Sequence, residues 1–261
     1  GEVPVSYRPR IGQSKVAGTL HGVWGAGTKI LGHIFAAALS QRIRRRTDML
    51  VLFTRWPEPG TTKTRLIPEL GAQGAADVQR DMTEHTVRTL RGLLDQAHLE
   101  VRYAGGERRD LRAWLGGDLE YAPQGEGDLG ARLLRAFDDH FALHYGKVVI
   151  VGADCPGLTA EHLGEALHAL DDEDLVLGPA EDGGYYLIGL HLGASFEDLG
   201  PLFADVAWGT GSVREATLAR AADLGLGVHA LPVLRDVDTP EDLEVWRAVQ
   251  AAQTVGVRRS D

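Results

Sequence analysis

From Asp48 to Leu234, short apolar runs alternate with longer segments of helical periodicity. Met49-Leu50-Val51-Leu52-Phe53 has no polar interruption, the pattern of a strand buried on both faces of a parallel sheet. Ala72 to Leu94 sets Val78, Met82, Val87, Leu90 and Leu94 on one broad side of a helix. Leu99 to Tyr103 reads as a second strand and Arg108 to Leu115 as a short helix. A longer helix from Leu129 to Tyr145 turns Leu133, Leu134, Phe137 and Phe141 inward. Val148 to Val151 is the third buried strand, followed by a helix from Thr159 to Leu170. Leu175–Leu177 and Tyr185–Leu190 flank a Gly183-Gly184 turn, Ser212 to Leu224 is helical, and Val228–Leu231 is the last strand. Thr239 caps a terminal helix that starts at Pro240 and runs to Ala251. Strands separated by helices predict a doubly wound α/β domain with a mainly parallel sheet.

Residues 1–47 break this rhythm. Glu2 to Arg8 reads as one edge strand, followed by a Gly-rich segment and one helix, too little to bury a core alone. The apolar run Ile30 to Leu39 falls short of the roughly 18 residues that span a bilayer. With Arg42-Ile43-Arg44-Arg45-Arg46 it fits an interfacial helix or a soluble helix with a solvated basic end. The chain has no initiator Met and no signal-peptide pattern, and reads as cut from a longer polypeptide.

Charge sharpens the division. Residues 1–48 carry eight Lys/Arg against Glu2 and Asp48, while the whole chain is at −10, so the body from residue 49 stands at −16. An acidic body excludes nucleic acid as a partner, and a basic head suits contact of residues 30–46 with an anionic membrane surface. One cysteine, Cys155, rules out an internal disulfide and fits a cytoplasmic setting, peripheral at the inner membrane face. With no base placed beside it, that thiol reads as packing rather than as a nucleophile.

The candidate chemistry lies in loops that follow the apolar runs. Gly152-Ala153-Asp154-Cys155-Pro156 puts a carboxylate at the end of the third buried strand, where open α/β sheets bind ligands. An acid there needs a cation or hydrogen-bond donors, and hard carboxylate oxygens suit Mg2+ or Mn2+. Asp236 and Asp238, two apart on an extended segment, point the same way and are candidate further ligands; a turn and cap before Pro240 is the structural alternative. In Thr54-Arg55-Trp56-Pro57-Glu58-Pro59-Gly60-Thr61-Thr62-Lys63-Thr64-Arg65-Leu66, Lys63 and Arg65 are expected to project cations toward a diphosphate. Glu181-Asp182-Gly183-Gly184-Tyr185-Tyr186 joins two acids, suited to sugar hydroxyls, to a double-glycine turn and two rings. Trp208-Gly209-Thr210 is a weaker candidate for an acceptor pocket, and the ten histidines show no metal-ligand spacing.

Together, Phe53 to Gly60 with Lys63-Thr64-Arg65-Leu66, Gly152 to Pro156, Gly178 to Tyr186, and Asp236-Val237-Asp238-Thr239 resemble the signatures of arsenosugar-biosynthesis-type glycosyltransferases. The resemblance covers residues 48–255, leaving 256–261 as a disordered tail. It implies a GT-A (nucleotide-diphospho-sugar transferase) fold, a three-layer α/β/α domain behind an N-terminal extension. That superfamily also holds nucleotidyltransferases of cofactor synthesis. Within 1–47, Pro4 to Lys15, Gly18-Thr19 and Gly27 to Leu31 resemble the carboxyl tail of dolichol-phosphate-mannose-synthase-like glycosyltransferases, which implies an upstream transferase domain. One departure is Trp208-Gly209, where the family often has Trp-Ser.

The resemblance implies metal-dependent transfer of a sugar from a nucleotide diphosphate to an acceptor. Asp154, Asp238 and Asp236 would hold the ion, Arg55, Lys63, Arg65, Gly183 and Gly184 the nucleotide sugar, and Asp182 or Glu181 would orient the sugar or serve as base, with Asp154 also at the reaction centre. Two alternatives stay open: nucleotidyl transfer from an NTP to a phosphorylated acceptor, and a non-catalytic regulatory domain.

Overall fold

A computed structural model of the chain describes residues 48–192 and 199–257. The expected edge strand, the basic helix and its membrane contact at 30–46 lie outside the described residues, as do 258–261 of the tail.

Among the described residues, seven strands form one sheet: β1 (Asp48–Arg55), β2 (His98–Ala104), β3 (Glu120–Pro123), β4 (Lys147–Gly152), β5 (Leu175–Pro179), β6 (Tyr185–His191) and β7 (Val228–Ala230). Their order is β3-β2-β1-β4-β6-β5-β7. β1 lies between β2 and β4 in parallel register, with Val51 opposite both Glu100 and Ile150. β6 alone runs antiparallel, pairing with β4 and β5. This is the mainly parallel α/β fold that the alternation of strands and helices predicted.

Alternate residues of β1 feed two cores, because successive strand side chains point to opposite faces. Leu50 and Leu52 join a cluster with Val87 and Leu90 of α1 (Ile67–Arg91), Leu111 of α2 (Arg108–Leu115), and Leu163 and Leu167 of α4 (Ala160–Ala169). Met49, Val51 and Phe53 face Leu133 and Phe137 of α3 (Leu129–Ala142), Leu202 and Phe203 of α5 (Gly200–Phe203), and Ala221 of α6 (Val213–Asp223). A third, smaller cluster joins α1 to α7 (Leu243–Val257) through Met82, Val237, Leu243 and Trp246. Helices on both faces give the three layers.

The boundaries differ from the periodicity reading in instructive places. Helical structure begins at Ile67 rather than Ala72, because Pro68 occupies the first turn and a break at Gly71 (φ 70°) separates the two parts. β3 escaped the pattern: it is four residues long, lies at the sheet edge and ends in Pro123. The four-residue α5 is likewise too short to show a period.

β2 hides a polar feature beneath its alternation. Leu99 and Val101 enter the apolar core, while Glu100 and Arg102 are buried on the other face under α3. Arg102 Nε donates to Glu100 Oε1 at 2.5 Å, its Nη2 reaches Asp139 at 2.8 Å, and His140 Nε2 stands 3.5 Å from Glu100. Burial acts to raise the Glu100 pKa, but the hydrogen bonds from His140 and Arg102 outweigh it and hold the carboxyl below its ordinary value. Removing the guanidinium would strand a buried charge. Arg102→Met is therefore expected to destabilise the domain by about 3–5 kcal/mol. Thermal unfolding followed by circular dichroism should show a fall in Tm on the order of 10 °C. Adding Glu100→Gln to that variant should recover part of the loss.

Candidate functional site

The carboxyl ends of β1, β4 and β5 and the start of antiparallel β6 share one edge of the sheet, and the loops leaving that edge form a cleft. After β1, Trp56 N–H bonds the Ala104 carbonyl and the Thr62 hydroxyl bonds the Trp56 carbonyl, which folds the proline-containing loop back on itself. The loop closes at Lys63, a left-handed residue (φ 49°, ψ 46°) that starts a 3-10 turn over Thr64–Leu66. On the opposite side, the segment after β7 is tied down where Val237 N–H bonds the Asp154 carbonyl, with Val237 fully buried. Asp242 organises the rest of that segment, accepting from the Thr239 and Asp238 amides and pairing with Arg235.

These constraints turn Lys63 inward. Its side chain is 5% exposed, and its ammonium meets Asp154 Oδ1 at 2.5 Å, Asp238 Oδ1 at 3.0 Å and the Val237 carbonyl at 2.7 Å. An ammonium has three N–H donors, and here three acceptors take them. Burial disfavours the charge, but Asp154 and Asp238 outweigh it and raise the Lys63 pKa above that of an ordinary lysine. In this geometry the Lys63 ammonium joins two carboxylates, and the residue also lines the cleft. Asp238 is engaged on both oxygens, the second by Arg65 at 3.3 Å.

The acids of the β5–β6 turn divide. Asp182 Oδ1 accepts from the Gly184 amide and the residue lines the cleft. Glu181 turns aside, 3.8 Å from Arg235, and is not among the lining residues. Gly183 (φ 88°) is explained by packing, since a Cβ there would collide with the Gly211 carbonyl. Of the two glycines expected to hold a nucleotide sugar, only Gly184 lines the cleft. Asp236 is half-buried, and its pKa is pushed up to about 6 by burial and by the neighbouring Asp182 charge. Burial also pushes the Cys155 thiol up, in keeping with packing rather than nucleophilic attack.

The cleft has two compartments. The larger, about 550 Å3, is lined by Arg55, Lys63, Arg65 and Arg132, by the buried Gln79 and Gln124, and by the acids Asp154 and Asp238. The smaller, about 260 Å3, is lined by Asp154, Asp182, Asp236 and Asp238, with Arg65, Tyr185 and Trp208. Asp154, Arg65, Asp238 and Tyr185 belong to both and mark the junction. The Trp208 ring lies against Gly130, where a Cβ would strike it, and stacks on Phe203. Sequence reasoning missed Arg132, whereas Gln124 opens the segment Gln124 to Gly130, a weaker candidate on the sequence that capping by Asp128 largely explains. Arg132 reads as an ordinary helix-surface charge, and only the fold brings it over Gln124, whose amide bonds the Thr54 and Arg102 carbonyls.

Comparisons with known proteins bear on the site at this point. The family model described as "Uncharacterized protein conserved in bacteria (DUF2064)" matches residues 87–210, which hold two of the four motifs, at 152–156 and 178–186. A crystal structure from Desulfovibrio desulfuricans G20, described as a candidate nucleotide-diphospho-sugar transferase, is 34% identical with a TM-score of 0.69. That match covers 74% of this chain and 83% of that one. The 4-diphosphocytidyl-2C-methyl-D-erythritol synthase of Anaerococcus prevotii DSM 20548 aligns over 81% of this chain and 99% of its own, at 10% identity and a TM-score of 0.54. At that identity it shares the fold alone. No curated protein matches the chain.

Two outcomes follow from the site's electrostatics. Lys63→Met should leave Asp154 and Asp238 repelling each other and lower stability by on the order of 2 kcal/mol, while Lys63→Arg, a planar fork in a three-acceptor socket, should not restore it. Denaturant unfolding of the three proteins checks this. For Asp236, the folded-state pKa of about 6 lies above the unfolded value of 3.8, so the folded chain binds that proton more tightly. Its contribution is present at low pH and is lost as pH rises from about 4 to about 6. In chelator, Asp236→Asn should therefore match wild type near pH 4 and melt a few degrees higher at pH 7.5.

Proposed function

The chain carries a DUF2064 domain and belongs to the same family as the Desulfovibrio desulfuricans protein; from that premise we propose that it transfers a sugar from a nucleotide diphosphate to an acceptor. The observation that carries this reading is the two-sided cleft, with Arg55 and Arg132 lining only the larger compartment, Asp182 and Asp236 only the smaller, and Asp154, Asp238 and Arg65 at the junction. The diphosphate of the donor belongs on the arginine side, where Arg55, Arg65 and Arg132 offer charge-assisted hydrogen bonds. Arg65, shared by both compartments, stands where negative charge develops on the leaving diphosphate. Asp182, one oxygen fixed by the Gly184 amide, keeps the other to orient the acceptor hydroxyl and take its proton.

The acids also fit a divalent cation. Among the described residues no group of three or more His, Cys, Asp or Glu forms a metal cage. Mg2+ commonly uses only one or two carboxylates together with substrate phosphates. Both oxygens of Asp238 face cations, so Asp154, through its second oxygen, and Asp236 are the better-placed ligands. When bound, Mg2+ or Mn2+ would supply Lewis-acid stabilisation of the leaving diphosphate. Asp238 then serves to hold Lys63 and Arg65 in place.

The test is a thermal-shift panel of nucleoside diphosphates, triphosphates and nucleotide sugars with and without Mn2+, followed by product analysis. Ligand that binds only the folded state raises the midpoint. The expected result is Mn2+-dependent stabilisation by a nucleoside diphosphate or its sugar conjugate, with that diphosphate released on turnover. Arg132→Ala should weaken nucleotide binding about tenfold, the value of one charge-assisted hydrogen bond. Pyrophosphate release from a triphosphate would replace this reading with nucleotidyl transfer, and a panel without any shift would leave a non-catalytic domain.

A further inference from the structure

The two compartments differ in sign, and that difference bears on the acceptor. Among the described residues that line the larger compartment, Arg55, Lys63, Arg65 and Arg132 face two acids. In the smaller one Arg65 is the single cationic lining residue and faces Asp154, Asp182, Asp236 and Asp238. Arg65 is moreover already paired with Asp238, and Lys63 with Asp154 and Asp238, so among the described residues Asp182 and Asp236 are the acids of this compartment outside any ion pair. The smaller compartment is still a shaped cavity of about 260 Å3, with the Trp208 and Tyr185 rings set edge to face, 6.5 Å apart, as one wall. Gly209 and Thr210 complete its lining.

Resting on the sugar-transfer reading, we infer that the smaller compartment takes an unphosphorylated, hydroxyl-rich acceptor, a sugar or polyol. Hydroxyls donate to carboxylates, and the C–H face of a sugar ring packs on an indole. A phosphate placed among Asp182 and Asp236 meets like charge, and the repulsion grows as the site excludes water. A divalent cation held by Asp154 and Asp236 would offset those two charges without creating a surplus for a second phosphate.

The transfer balances without any further reactant. The acceptor oxygen forms a bond to the anomeric carbon as the bond from that carbon to the diphosphate breaks. The nucleoside diphosphate leaves with the electron pair, and the acceptor proton passes to Asp182. Nucleotidyl transfer to a phosphorylated acceptor differs at this point, because that second substrate would bring its own phosphate into the acidic side.

The experiment uses the full chain saturated with Mn2+ and the nucleoside diphosphate that gives the largest thermal shift. Saturation-transfer NMR and calorimetry then compare hexoses, pentoses and polyols with their matching monophosphates. The expected result is binding of unphosphorylated members, with each phosphate at least about tenfold weaker, and a narrowing of that gap by about tenfold in Asp182→Asn, which removes one facing charge and leaves the residues proposed to hold the cation intact. Circular dichroism confirms that the variant is folded; should it not be, Asp182→Ser takes its place. Equal or tighter binding of the phosphates by wild type overturns the inference, as does failure of every unphosphorylated member to bind. Failure of all nucleotides to bind would instead remove the sugar-transfer reading itself, so the two are told apart.

Discussion

One buried ammonium holds the cleft together. Lys63 Nζ links the loop after β1 to the end of β4 through Asp154, and to the segment after β7 through Asp238 and the Val237 carbonyl. These three pieces of chain come from far apart in sequence, and each carries polar groups that could not be left buried alone. The left-handed backbone at Lys63 is uncommon for a residue with a side chain, and it aims the ammonium inward. The same contact fixes where Asp154 and Asp238 stand, so the site's geometry and its local stability share one ionic network. Beside the network, half-buried Asp236 has its pKa raised by burial and by the nearby Asp182 charge.

The sheet decides how these groups meet. Parallel β1 and β4 end at one edge, and antiparallel β6 begins there, so Tyr185 and Tyr186 enter the cleft from a strand running the other way. The β5–β6 turn delivers Asp182, and the return after β7 delivers Asp236 and Asp238 on either side of buried Val237. Arginines arrive from the other flank, Arg55 at the end of β1 and Arg132 from the first turn of α3. The separation of signs across the cleft therefore reflects the order of the strands. The likeness to the Desulfovibrio desulfuricans protein places the chain among transferase-like folds, and the reaction rests on this local arrangement.

The continuous apolar runs were read correctly because a strand buried on both faces has no polar side to interrupt it, as β1 and β4 demonstrate with their fully covered centres. The acidic loops were visible for a related reason, since an acid directly after such a run needs a partner. Arg108 to Leu115 and the cap at Thr239 were legible from local rules of periodicity and capping. Glu100 and Arg102 were not: an alternating strand looks half-exposed, and only α3 with His140 and Asp139 covers its polar face.

By itself, the sequence determined the alternation of strands and helices, the loops that carry charge, and which of them hold acids, since each depends on residues near one another in the chain. Tertiary structure decided which charges pair. It joined Lys63 to two aspartates, sent Glu181 toward Arg235 and Asp182 into the cleft, and brought Arg132 to the site from a helix face. Those outcomes depend on distances between segments remote in sequence and on what burial excludes from water, and neither is set by the spacing of residues along the chain.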